Sequence, residues 1–183
     1  MGIGLVILVV VVILIGLLIS LYNKLARQKV LVDEASSDIE TFLKQRYDMI
    51  PNLVEIVKGY AKHEQDTFTK VTEMRTKAMS AGSLEEKMKY EKELSAAITQ
   101  IFAVAENYPE LKANENFKEL QTSLKELENN IQKSRRFYNG TVRDFNSMIA
   151  VFPNSIIAGI MGYKALPFFE ASEEEKENVK IKF

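Results

Sequence analysis

Residues 45–64, QRYDMIPNLVEIVKGYAKHE, crowd an arginine, an aspartate, a proline and the only histidine of the chain into one short stretch. Two readings compete for it: a catalytic cluster, or the turn of a helical scaffold. Proline lacks an N–H and its ring clashes with the preceding turn, so Pro51 is expected to end a helix near residue 48. Asp48 then stands where a side chain caps the following helix. Arg46, Tyr47 and Asn52 would brace the reversal. Read this way, the stretch is a hinge.

Toward the N-terminus, residues 21–49 contain neither Gly nor Pro, and Val32, Ala35, Ile39, Phe42 and Met49 recur at helical spacing. Before them, IGLVILVVVVILIGLLISL (residues 3–21) carries no charged side chain. At 1.5 Å per residue this run is about 28 Å long, close to the hydrocarbon thickness of a bilayer. A cleaved signal peptide would show a basic start, a shorter apolar run and small residues at a cleavage site, and none is present. A retained transmembrane helix over 1–22 is expected, running on without a linker as one rod to about residue 48. Lys24, Arg27 and Lys29 follow the span while no basic side chain precedes it, which places the N-terminus outside and the remainder in the cytoplasm.

Toward the C-terminus, Leu53, Val57, Tyr60, Phe68, Val71, Met74 and Ala78 trace a second helix, with one break at Glu64. Gly82 ends it. Ser83 and Glu86 form a capping box for a third helix. The stripe of that helix, Met88, Leu94, Ile98, Ile101, Phe102 and Ala105, is interrupted by Glu91. Pro109 breaks it, and a fourth helix follows with heptad-like apolar spacing from Phe117 through Leu124, Ile131, Tyr138 and Phe145 to Phe152, closed by Pro153. The expected fold is all-α: the transmembrane helix continuous with an antiparallel four-helix bundle over 23–153, with helices at about 23–48, 51–81, 84–107 and 115–152. An apolar tail (154–171) and a charged, flexible terminus (172–183) complete the chain. Because four helices alternate in direction, the tail returns to the bilayer. Two readings stand for it: Ile156, Ile157, Ile160, Met161, Phe168 and Phe169 touch lipid or a neighbouring subunit, or the tail packs back on its own bundle.

Composition excludes several chemistries. A chain of 183 residues with no cysteine has no disulfide, thiolate metal site or thiol nucleophile. A net charge of -1 gives no global attraction to nucleic acid. KHEQD lacks the second histidine of a zinc-binding HExxH motif, so His63 reads as a surface residue. Phosphate-loop, dinucleotide and nucleophile-elbow motifs are absent. No enzyme activity, cofactor, metal or small-molecule substrate is expected. Asn139-Gly-Thr141 matches a glycosylation acceptor but falls inside the fourth helix. The polar residues that break apolar stripes, Arg46, Arg135 and Arg136, with Tyr138 and Asn139 beside them, are expected to form a structural network. By helical rise Arg136 lies roughly 24 Å from the membrane, near the height of Asp38 and Glu64, which makes one of these its expected partner.

Three stretches together resemble the LemA family of bacterial membrane-anchored proteins: YNKLARQKVLVDEASSDIETFLKQRYDMIPNLVEIVKGYAKHE (22–64), ENNIQKSRRFYNGTVRDFNSMIAVFP (128–153) and IAGIMGYKALPFFEA (157–171). Departures are slight: Ser36 and Ser37 stand where such proteins often carry an aromatic, and Gly140 falls within the last helix. The resemblance implies a membrane-tethered helical bundle with an outward N-terminus and no established catalytic activity, loosely tied to the cell envelope. The function expected is a scaffold or adaptor that self-associates, with Gly16 and Ser20 as a weak contact face in the anchor. The alternative is a monomeric adaptor regulating another envelope protein, such as a protease.

Overall fold

The computed structural model describes residues 2–169 and is all-α, with no strand among them. Its helices are α1 (Gly2–Tyr60), α2 (Gln65–Ser80), α3 (Leu84–Ala105), α4 (Pro109–Ala113), α5 (Glu115–Ala150) and α6 (Asn154–Ile160). The charged terminus 172–183 lies outside the described residues. The described residues divide into two compact units, one of residues 2–38 with 134–168, the other of residues 39–133 with residue 169.

The first helix corrects the expected hinge. α1 runs unbroken through Pro51 to Tyr60, and Asp48, Pro51 and Asn52 are exposed along its side. The reason is the buried stripe, which keeps its phase across the proline: Ile39, Leu43, Arg46, Tyr47, Ile50, Leu53, Val54, Val57 and Ala61 recur every three or four residues. Ending the helix at residue 48 would strip Ile50, Leu53 and Val57 of a common face, at about 1.5–3 kcal/mol for each large aliphatic left in water. The reversal falls instead at residues 61–64, so α2 starts fourteen residues later than Pro51 implied. Lys58 in the last turn of α1 and Asp66 in the first turn of α2 each complement the helix dipole beside them.

Within the unit of residues 39–133, side-chain pairs give the direction of each helix. Arg75 on α2 meets Tyr47, and Lys58 lies over the Phe68 ring, so α1 and α2 run antiparallel. Lys77 over Tyr90 relates α2 to α3 in the same way. The Phe102 and Phe117 rings, 6.1 Å apart and edge to face, reverse α3 into α5. Phe68, Val71, Leu94, Ile101, Leu111, Phe117, Leu124 and Ile131 supply the core between them. The expected capping box opens α3: Ser83 Oγ accepts the Glu86 N–H at 3.2 Å, and the Glu86 carboxylate accepts the N–H of Gly82 at 3.1 Å. Asn114 caps α5 by accepting the Phe117 N–H at 3.0 Å.

In the unit built from residues 2–38 and 134–168, α1 and α5 also run antiparallel, since Gln28 Nε2 donates to the Thr141 carbonyl at 3.4 Å while the earlier Leu21 and Leu25 share a cluster with the later Met148 and Ile149. α6 folds onto them. Ile157 and Ala158 pack on Leu25, and Leu21, Met148, Ile149, Met161 and Tyr163 close around that cluster. Gly162 stops α6 with φ +69°, and the Tyr163 N–H reaches the Ala158 carbonyl at 2.9 Å while the Gly162 N–H reaches Gly159 at 3.2 Å. Both bonds belong to the left-handed C-terminal turn that favours glycine.

Candidate functional site

The buried charges of the chain converge on one another. Arg46 is 1% exposed, and its guanidinium donates through Nη1 to Ser95 Oγ at 3.0 Å and to Glu128 Oε2 at 2.6 Å. Nη2 donates to Glu91 Oε2, and the Tyr47 hydroxyl donates to the other oxygen of the same carboxylate. The Glu91 side chain is fully buried, whereas Glu128 keeps about a third of its surface in water. A carboxylate in such a place is tolerated because it is both paired and hydrogen-bonded. One cluster thus links α1, α3 and α5. Lys87 on α3 adds an ion pair to Glu40 at 2.5 Å.

Pro51 is accommodated by the same group of helices. A proline inside a helix leaves the carbonyl four residues before it without its N–H donor. That carbonyl is Tyr47, and Arg75 Nε on α2 donates to it at 2.7 Å. The side chain from α2 therefore replaces the backbone bond that the proline removes.

The sequence marked Arg46 and Glu91 separately, each as a polar break in an apolar stripe, without joining them. Arg46 and Tyr47 brace the bundle core, not a turn. Arg136 is exposed and pairs with neither Asp38 nor Glu64, which corrects the expected register-fixing pair. It sits two residues before Tyr138 and so falls off the buried face of Ile131, Tyr138 and Phe145. Arg135 and Asn139 are half-buried. His63 is exposed in the 61–64 turn. No group of three or more His, Asp or Glu is placed to hold a metal among the described residues.

The second feature is apolar. Among residues 2–20 every side chain is exposed, including Gly16 and Ser20. Leaving that many aliphatic groups in water costs on the order of tens of kcal/mol. The helix is long and apolar enough to cross a membrane, and suggests an anchor.

The tail is sorted by its own helix into two faces. Ile157 and Met161, four residues apart, turn inward on the Leu25 cluster, and Phe169 is buried as well, so these three do not form the outward contact expected of them. Ile156 and Ile160, one position back and so about 100° round the helix, face outward at 57% and 79% exposure, with Phe152 and Phe168 also uncovered. Residues 163–168 return along α5. Asn146 clasps the backbone of Leu166 twice, donating to its carbonyl at 2.9 Å and accepting its N–H at 2.8 Å. The Phe145 and Tyr163 rings meet edge to face at 5.5 Å.

Tyr138 completes this clasp by donating to the Pro167 carbonyl at 3.1 Å. Burial raises the pKa of its phenol, and the Asp33 carboxylate adds to the rise. A raised folded pKa means that the stabilisation is full below the ordinary tyrosine value of about 10 and is lost as pH climbs through the higher folded value. Tyr138→Phe should cost about 1 kcal/mol at neutral pH by removing the donor. It should also flatten the alkaline limb of stability above about pH 10, read by urea denaturation of both proteins across that range.

Relatives agree along most of the chain. It is 25% identical over 186 residues to Magnetosome protein MamQ 2 of Paramagnetospirillum magneticum, covering 87% of this chain and 68% of that protein. Protein LemA of Metamycoplasma hominis is 28% identical over 161 residues, 86% of this chain and 72% of its own length. Magnetosome protein MamQ of Magnetospirillum gryphiswaldense is 23% identical over 159 residues, 73% of this chain and 58% of that protein. The model of the LemA family matches residues 35–183, a stretch that contains the whole Arg46 cluster, the Arg75 clasp and the folded tail. The chain therefore belongs to the LemA family.

Proposed function

We propose that this protein is a non-enzymatic, membrane-anchored scaffold or adaptor of the bacterial cell envelope that self-associates. The observation that carries the reading is the exposed aliphatic surface of residues 3–19, continuous with a helix whose later turns are buried in a core. A bilayer satisfies such a helix, because its aliphatic side chains meet hydrocarbon and its backbone groups are bonded within the helix. A catalyst would direct polar groups into an enclosed cavity, whereas the buried charges here satisfy each other. The relatives' names specify no reaction, which is in line with organisation rather than chemistry.

Lys24 and Arg27, just beyond the span, support an outward N-terminus and a cytoplasmic bundle. Lys29 adds less, because Asp33 pairs with it at 2.5 Å. α6 packs on Leu21 and Leu25, at the end of the apolar run, so its outer residues Ile156 and Ile160 lie level with the bilayer surface or with a neighbouring copy there. That outer face is short, and a short face favours a second reading: a monomeric adaptor that holds another envelope protein, such as a protease. Particle mass in mild detergent separates the two readings, many copies for the scaffold and one for the adaptor.

A further inference from the structure

A groove of about 790 Å³ opens along α1 and is closed on one side by Met148 of α5. Its lower wall is apolar or small, formed by Gly16, Ile19 and Ser20; Asn23, Lys24, Arg27 and Gln28 line it above, with Leu31 at the far end. A Cβ added at Gly16 would meet nothing within 4 Å, so the lower end is open space. From Gly16 to Arg27 the helix rises about 16 Å, enough to pass from acyl chains to the headgroup layer.

The charges are unbalanced. Lys29 is taken by Asp33, and Arg143 on α5 by Asp144 at 3.1 Å. Lys24 and Arg27 form no ion pair among the described residues, although both line the groove. Two cations with the Asn23 carboxamide beside them match the donor needs of a phosphate, while Gln28 is turned to the Thr141 carbonyl, and the apolar notch below matches a hydrocarbon chain. A soluble anion would use only the upper half.

We infer that this groove is a binding site for one anionic phospholipid, with Lys24 and Arg27 holding the headgroup phosphate and an acyl chain lying over Gly16 and Ile19. The inference rests on the membrane-anchored reading, and its test separates the two. Each basic residue near an anionic surface favours it by about fivefold, so the pair should prefer phosphatidylglycerol over phosphatidylcholine by about twenty-fivefold.

The chain has no tryptophan, so Ile13→Trp creates a single reporter three residues before Gly16 and on its face of the helix. The full-length protein is reconstituted in vesicles of dioleoylphosphatidylcholine mixed with brominated phosphatidylglycerol or brominated phosphatidylcholine, and fluorescence quenching is measured. Stronger quenching by the brominated phosphatidylglycerol, reduced to parity by Lys24→Gln with Arg27→Gln and retained by Lys24→Arg with Arg27→Lys, is the result expected. Equal quenching by the two lipids in the parent overturns the lipid site and leaves the anchor standing. A preference that survives the double glutamine variant also overturns it, because the named residues would not be its source. Quenching by neither lipid overturns the membrane reading and the site with it.

Discussion

Arg46→Met is expected to lower the stability of the folded chain by about 3–5 kcal/mol, among the largest effects a single substitution can have here. The volume changes little, but the Glu91 carboxylate, fully buried, loses the guanidinium that balances its charge, which the Tyr47 hydroxyl does not replace. Glu128 loses less, because it retains access to water. In a chain of this size each kcal/mol moves the melting temperature by about 2–4 °C, so a fall of about 10 °C is the result to look for by circular dichroism. The double variant Arg46→Met with Glu91→Leu should recover most of the loss, since a buried ion pair replaced whole by apolar side chains is often neutral or better. If Arg46→Met alone leaves the melting temperature unchanged, the cluster does not hold the bundle. Arg136→Met, by contrast, should change little, as that side chain is exposed.

The second large effect concerns the proline. Arg75→Ala should cost about 1–3 kcal/mol, because it removes the side-chain donor to the Tyr47 carbonyl at the turn where Pro51 supplies no N–H. The size of that cost depends on Pro51. In a Pro51→Ala background the alanine N–H restores the helical bond to Tyr47, and Arg75→Ala should cost less than about 0.5 kcal/mol. Urea denaturation of the four proteins of this cycle measures the coupling. Equal costs in the two backgrounds would mean that Arg75 acts elsewhere, through its charge or its packing.

That cycle also shows what the sequence could and could not disclose. The anchor, the capping box at Ser83 and the heptad-like spacing of α5 are local features, written within one helix, and they are legible from residue order alone. The continuity of α1 involves a partner distant in sequence. A proline read by local rules ends a helix, whereas here the buried stripe continues through it and the arginine from α2, 28 residues from Tyr47, donates to the carbonyl that the proline leaves. A signal was available in the phase of Leu43, Ile50, Leu53 and Val57, which does not slip at the proline. The Arg46 cluster was half-legible for the same reason. Arg46 and Glu91 each interrupt an apolar stripe, but the pairing spans 45 positions and is fixed by how α1 and α3 align. In the tail, the apolar composition was plain, while the division into inward Ile157 and outward Ile156 follows from α6 being a helix docked on Leu25.

The claim on which the functional account turns is self-association through the anchor. Its most direct measurement is the mass of the full-length particle in mild detergent, by light scattering with the detergent contribution subtracted, beside a fragment of residues 24–183. A uniform particle of many copies that falls apart in the fragment is the predicted result, because the fragment lacks the apolar anchor of residues 3–21. A single copy of 20.8 kDa in the parent would contradict the scaffold and leave a monomeric adaptor as the working function.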